Sequence, residues 1–238
     1  MALPSPPVPS YELQLPSTGK SIKYRPFLVK EEKILLMAME SQDEKQIKSA
    51  VVDLLKNCIQ TRAIKVEELP SFDIEYIFLN IRGKSAGEEI QLKITCRDDD
   101  ETQVNYVINV EDIQVIKQEG HANKIMLNDD SGVVMKYPGV NSFIDTQIMM
   151  KTLSAEEVFD IVVNSVDQVF TGEEVFEAKT TSKKDIEAYL EGLTSKQFAK
   201  IQEFFATMPK LSHSFKITNP NTEVESEYTI EGLVNFFA

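Results

Sequence analysis

The side chains with the most chemistry to offer are two cysteines, two histidines and one acidic run. Cys58 and Cys96 stand far apart in a chain of 238 residues. A reactive thiol needs a cationic or metal neighbour to hold it as a thiolate. Neither cysteine has a Cys-x-x-Cys or Cys-His spacing, so each reads as a small buried apolar group in a reducing compartment. His121 lies in Glu119-Gly120-His121-Ala122-Asn123, and His213 on a strand pattern. A hydrolase needs a nucleophile with a base in hydrogen-bond reach. No Gly-x-Ser-x-Gly context surrounds either histidine, so both read as ordinary satisfied residues. Asp98-Asp99-Asp100 has the charge for a cation. It lacks the alternating Asp/Asn positions, the glycine and the distal glutamate of a calcium loop, so it reads as a solvated turn. With nine glycines in the chain, no phosphate-cradling Gly-rich motif occurs. The expectation is a protein without catalytic residues, cofactor or metal.

Charge narrows the partners. The net charge is −13. Residues 1–84 hold 12 Lys/Arg and 11 Asp/Glu, a net of +1, so residues 85–238 carry the remaining −14. An acidic field repels phosphate backbones, which argues against nucleic acid. The excess reads either as solubility or as a surface for a basic partner. No apolar run reaches the roughly 18 residues of a membrane span, and the start lacks a signal-peptide pattern. A cytoplasmic protein is expected.

The elements follow from periodicity. Residues 1–10 contain four prolines and read as an extended arm, with Leu3 and Val8 as apolar anchors. Tyr11–Leu15 and Ile22–Tyr24 alternate around Pro16-Ser17-Thr18-Gly19, a hairpin. Lys30–Glu40 is rich in helix formers. Ser41 and Glu44 have capping-box spacing, and Ile47, Ala50, Val51, Leu54, Leu55 and Cys58 form one helical face behind them. Ser71 is placed to cap a third helix facing inward with Ile74, Ile77, Phe78 and Ile81. Residues 89–95 and 104–108 alternate as strands, and shorter strands fit 113–116, 124–127 and 133–136. Ser154 opens a helix whose stripe runs from Val158 to Val169 and Phe170. Ser182 and Thr194 open two more, carrying Ile186, Tyr189 and Leu190, then Phe198, Ile201, Phe205 and Met208. A strand pair at 212–218 and 224–230 precedes the apolar tail Leu233-Val234-Asn235-Phe236-Phe237.

The fold class is therefore α+β. An N-terminal β-hairpin and helices lead to a central antiparallel β-rich region. A helical C-terminal part follows, ending in a β-hairpin and the short tail. The division expected is an arm at 1–10, a hairpin, helix and sheet unit at 11–150, and a mostly helical part at 151–238. An echo links Lys93-Ile94-Thr95 and Tyr106-Val107-Ile108 to Lys216-Ile217-Thr218 and Tyr228-Thr229-Ile230. A duplicated helix–hairpin unit would turn Ile94, Ile108, Ile217 and Ile230 into the core. The candidate partner-binding residues are Leu3 and Val8 in the arm, Phe27 and Leu28 between hairpin and helix, and Phe236 and Phe237 in the tail.

Four blocks carry a resemblance. They are Tyr11–Ser41, Leu69–Ser85, Met135-Lys136-Tyr137-Pro138 and Glu231–Phe237. Together they resemble the baseplate hub family of T-even-type contractile-tailed phages. Some similar proteins carry paired cysteines after the first long hairpin; here Cys96 stands alone, which speaks against a metal knuckle. The resemblance implies protein–protein binding during assembly of the hub, with other baseplate hub and tail proteins as partners. Two roles fit: a hub subunit kept in the virion, or an assembly factor that leaves. The hairpin leading into a helix also resembles the start of tail assembly chaperones, which bind the tape-measure protein. A host-directed binding protein is the competing class.

Overall fold

In a computed structural model the described residues are 6–145 and 152–236. Strands β1 (Tyr11–Gln14) and β2 (Ser21–Tyr24) form the N-terminal hairpin, with Leu13 opposite Ile22. Helices α1 (Val29–Ser41), α2 (Glu44–Cys58) and α3 (Ser71–Ala86) follow. Next come β3 (Glu89–Thr95), β4 (Gln103–Asn109), β5 (Gln114–Ile116), β6 (Lys124–Met126) and β7 (Ser131–Met135). Helices α4 (Val140–Phe143) and α5 (Ala155–Asn164) lead to β8 (Val166–Thr171) and β9 (Glu174–Glu177). The chain closes with α6 (Lys183–Glu191), α7 (Ser195–Thr207), β10 (Lys210–Thr218), β11 (Glu225–Glu231) and a 3-10 turn at Leu233–Phe236. All strand pairs are antiparallel, and the fold is α+β as the periodicity indicates.

Two cores organise these elements. The first joins the hairpin, α2, α3 and β3–β4 to Leu211, Phe215, Ile217, Leu233 and Phe236 from the far end of the chain. The second gathers β7, β8, α5, α6 and α7 around Val133, Val162, Val166, Leu190, Ile201 and Phe204. The chain thus builds the second core in mid-course and returns to the first. The return is fixed by β10, which pairs with β5 through Lys210 opposite Ile116.

Helix α3 is the axis of the first core. Ile74, Ile77, Leu79 and Ile81 are fully buried, and Phe72 and Phe78 nearly so. Its burial all round is that of a central helix. Asp73 is also fully buried and holds the N-terminal hairpin. Its carboxylate accepts the backbone N–H of Ser17 at 3.0 Å and the Ser17 hydroxyl.

Three local expectations are corrected. The cap of α2 is Asp43, whose Oδ1 accepts from the N–H of Lys45 and Gln46; Ser41 belongs to the end of α1. Ser71 is the first residue of α3 after Pro70, and its buried hydroxyl has no hydrogen-bond partner among the described residues. The stripe through Val169 and Phe170 is not helical. Helix α5 ends at Asn164, and β8 begins at Val166. Its β-branched residues favour the pleated, half-buried surface between β7 and β9.

The sequence echo has a structural counterpart. Leu92 pairs with Tyr106 in the first hairpin, and Phe215 with Tyr228 in the second. Ile94 opposes Val104, and Ile217 opposes Ser226, so the two registers match position by position. Ile108 and Ile217 are buried, while Ile94 and Ile230 are half-buried against the same core. The hairpins also touch: Tyr106 and Phe215 stack with centroids 4.1 Å apart.

Candidate interaction surface

The cysteines, His121 and the acidic run are engaged in structure. Both cysteines are buried, and burial pushes the Cys58 thiol up to about 11, away from a reactive thiolate. His121 is buried between two hydroxyls, with Nδ1 2.9 Å from Thr207 Oγ1 and Nε2 3.0 Å from Tyr137 Oη. Burial lowers its pKa. His213 Nδ1 meets the carbonyl of Asp112 at 3.2 Å. The acidic turn faces the other hairpin: Asn219 Nδ2 donates to Asp98 Oδ2 and to Asp99 Oδ2, each at 2.9 Å. Hydrogen bonds from Thr102 and Asn219 hold the Asp99 carboxylate well below its ordinary range. Among the described residues no group of three His, Cys, Asp or Glu is gathered as for a metal. A cleft of about 1340 Å³ lies between the two cores, lined by Lys48, Asp53, Lys56, Tyr137 and Asp160. It contains neither histidine nor either cysteine.

The surface holds a stronger feature on α1. Its sequence, Val29-Lys30-Glu31-Glu32-Lys33-Ile34-Leu35-Leu36-Met37-Ala38-Met39-Glu40-Ser41, favours helix through Leu, Met, Glu, Lys and Ala. Its start is fixed by a buried ion pair. Arg25 Nη2 donates to Glu31 Oε1 at 2.6 Å, and Glu31 Oε2 accepts the N–H of Leu28 at 2.7 Å. Pairing with Arg25 lowers the Glu31 pKa. The helix ends at Gln42, in the left-handed region at φ 54°, whose N–H bonds to the carbonyl of Met39.

Among the described residues, only a narrow side of α1 meets the rest of the fold. Glu31 and Ala38 are buried, and Leu35 packs on the first core. Val29 is 80% exposed, Met37 58%, Ile34 56%, Leu36 55% and Met39 44%. Five large apolar side chains on one helix thus face solvent. Burying one is worth roughly 1.5–3 kcal/mol, so the group leaves several kcal/mol unrealised. Exposed apolar side chains gathered in this number on one element mark a surface that meets a partner.

The structure places the six candidate partner-binding residues unevenly. Leu3 and Phe237 lie outside the described residues. Val8 is exposed in an extended segment. Phe27 and Leu28 are half-buried, and Phe27 donates its N–H to Ser85 Oγ at 3.0 Å. Phe236 is fully buried in the first core and belongs to the fold rather than the surface. The exposed face of α1 begins beside Phe27 and Leu28, yet its own residues are absent from the six. The sequence holds part of the signal: Ile34–Met39 is six apolar residues in succession, and at about 100° per residue such a run reaches every side of a helix, but it does not tell whether the rest of the chain covers them.

The family described as T4 bacteriophage base plate protein matches residues 8–238. The chain belongs to that family. The match spans both cores, the α1 surface and the whole tail. No curated protein and no solved structure matches the chain. Among the described residues no helix is long and apolar enough to cross a membrane.

Proposed function

We propose that this baseplate protein works by binding, without catalysis, in assembly of the baseplate hub, and that α1 is its main docking surface. The observation that carries this reading is the set of exposed apolar residues on α1: Val29, Ile34, Leu36, Met37 and Met39. Membership of the base plate family supplies the setting, since such proteins meet other baseplate components. Methionine adapts to irregular partner surfaces, which suits a helix that must grip another subunit. The helix-bearing N-terminal region keeps the likeness to tail assembly chaperones, and the tape-measure protein is the second candidate partner. Host cytoplasm is the place of assembly in this reading.

The test is the double substitution Leu36→Glu/Met37→Glu, made in a phage whose own copy of the gene is disabled. Tails should fail to form while the purified variant keeps its wild-type circular dichroism and melting temperature. Normal tails from the variant would overturn the role of α1. Mass spectrometry of purified virions then separates the two assembly roles. Presence in finished particles makes the protein a hub subunit, and its restriction to infected-cell lysate makes it an assembly factor.

A further inference from the structure

The outer line of α1 carries two charges as well as its apolar residues. Lys33 and Glu40 are both exposed. They are seven residues apart, nearly two full turns, so they stand on one side of the helix about 10.5 Å from each other. That spacing is too long for the i,i+3 or i,i+4 pairing that joins charges within a helix. Neither makes an ion pair within the described chain. Leu36 and Met37 lie midway between them. Lys33 and Glu40 are equidistant from the Leu36–Met37 midpoint, and so are Ile34 and Met39.

A face arranged in this way is its own complement. A two-fold axis through the Leu36–Met37 midpoint brings each position opposite its mirror position on an antiparallel copy. We propose that the outer face of α1 pairs with α1 of a second copy of this chain. The pairing is antiparallel, with Lys33 of each copy opposite Glu40 of the other. Leu36 and Met37 fill the centre, with Ile34 and Met39 along the flanks. The proposal rests on the reading of α1 as a docking surface and names its occupant. A unlike partner needs no such symmetry of charge about the apolar centre. A second copy does, because like charges would otherwise meet in the seam.

The size of the face sets the strength. Two 13-residue helices bury less than the roughly 1,200 Å² of a standard stable interface. The dimer is therefore weak and concentration-dependent, suited to a component that is concentrated where the baseplate is built.

Charge exchange at the two positions tests the pairing. Sedimentation velocity on the full chain, from about 1 µM to about 1 mM, should show a monomer–dimer equilibrium. Lys33→Glu, and separately Glu40→Lys, should each raise the dimer Kd at least about tenfold, since each places like charges in the seam. The double exchange Lys33→Glu/Glu40→Lys should restore the Kd to within about threefold of wild type. Circular dichroism guards against unfolding, and both sites being exposed, all variants should melt alike. A protein monomeric throughout the range overturns the proposal, as does a dimer indifferent to Lys33→Glu, or an exchange that fails to restore. Failure here is distinct from failure of the docking role. A monomeric wild type whose Leu36→Glu/Met37→Glu variant still blocks tail formation means that α1 docks on a different protein.

Discussion

Arg25 and Glu31 form a two-toothed ion pair, Nη2 to Oε1 at 2.6 Å and Nη1 to Oε2 at 2.9 Å, at the joint between the N-terminal hairpin and α1. The same carboxylate takes the N–H of Leu28, and the same guanidinium bonds the carbonyl of Pro26 at 2.9 Å. One pair therefore sets the angle at which α1 leaves the body. Arg25→Ala should cost roughly 3 kcal/mol, because Glu31 would remain buried without its partner. The Glu31 pKa is lowered in the folded protein, chiefly by the bond from Arg25. Its contribution is thus present above the unfolded value of about 4.3 and is lost as the pH falls through the lower folded value. Urea midpoints of wild type and Arg25→Ala should differ widely at pH 7 and converge toward pH 3.

Glu75 behaves in the opposite sense. It is buried on α3, and burial pushes its carboxyl up to about 7. It accepts the backbone N–H of Leu233, while its Oε2 has no partner among the described residues. A raised carboxyl favours folding when protonated, so the penalty grows from about pH 4.3 upward and is complete above about pH 7. Glu75→Gln removes the charge and keeps an acceptor for Leu233. The variant should be more stable at pH 8, by up to roughly 3 kcal/mol, with the gain vanishing near pH 4. Thermal melts across that range measure it, and equal melting temperatures at pH 8 would refute it.

Much of this fold is written in local pattern. The face Ile47, Ala50, Val51, Leu54, Leu55 and Cys58 is buried at every position. Ser154, Ser182 and Thr194 cap the helices that their spacing indicates, because each hydroxyl accepts the N–H three residues on. The hairpin echo is legible for the same reason, since period-two alternation fixes which side chains share a face. The pairing of β10 with β5 is not legible. It joins Leu211 to Val115 across the whole second core, and no local period encodes a partner so distant in sequence. The strand at Val166–Thr171 is hidden because a valine run fits a buried helix and a buried strand alike. The α1 surface is not legible for a different reason. A run of apolar residues announces burial, and only the structure shows that the chain itself covers so little of this one.

The two hairpin turns are joined through Asn219, which is buried and bridges both aspartates of the opposite turn. Its Oδ1 also accepts the N–H of Asn221 at 2.9 Å. Asn219→Ala should destabilise the protein by about 1–2 kcal/mol, as buried groups lose their partners. Asn219→Asp should be worse at neutral pH, since a third carboxylate joins Asp98 and Asp99, and should recover on acidification. Chemical denaturation at pH 7 and pH 4 separates the two variants. An aspartate variant no worse than alanine at pH 7 would show that the turns do not depend on this bridge.

The tail tests whether the two ends of the chain form one core. Gly232, at φ 75°, turns the chain after β11, and its N–H bonds to the carbonyl of Leu211 at 2.9 Å. Leu233 and Phe236 then enter the core built on α3, which also holds Leu13 and Ile22 from the N-terminal hairpin. Both are at least 98% buried. Truncation after Gly232 removes both side chains and should cost roughly 3–6 kcal/mol. Phe236→Ala alone should cost about 3–5 kcal/mol, through lost contact and the cavity it leaves. Amide exchange gives the sharper reading. In Phe236→Ala, protection should fall in α3 and in β10–β11 together, because they share one core, while α6 and α7 of the second core keep theirs. Protection lost only from residues after Gly232 would mean that the tail sits on the core without completing it.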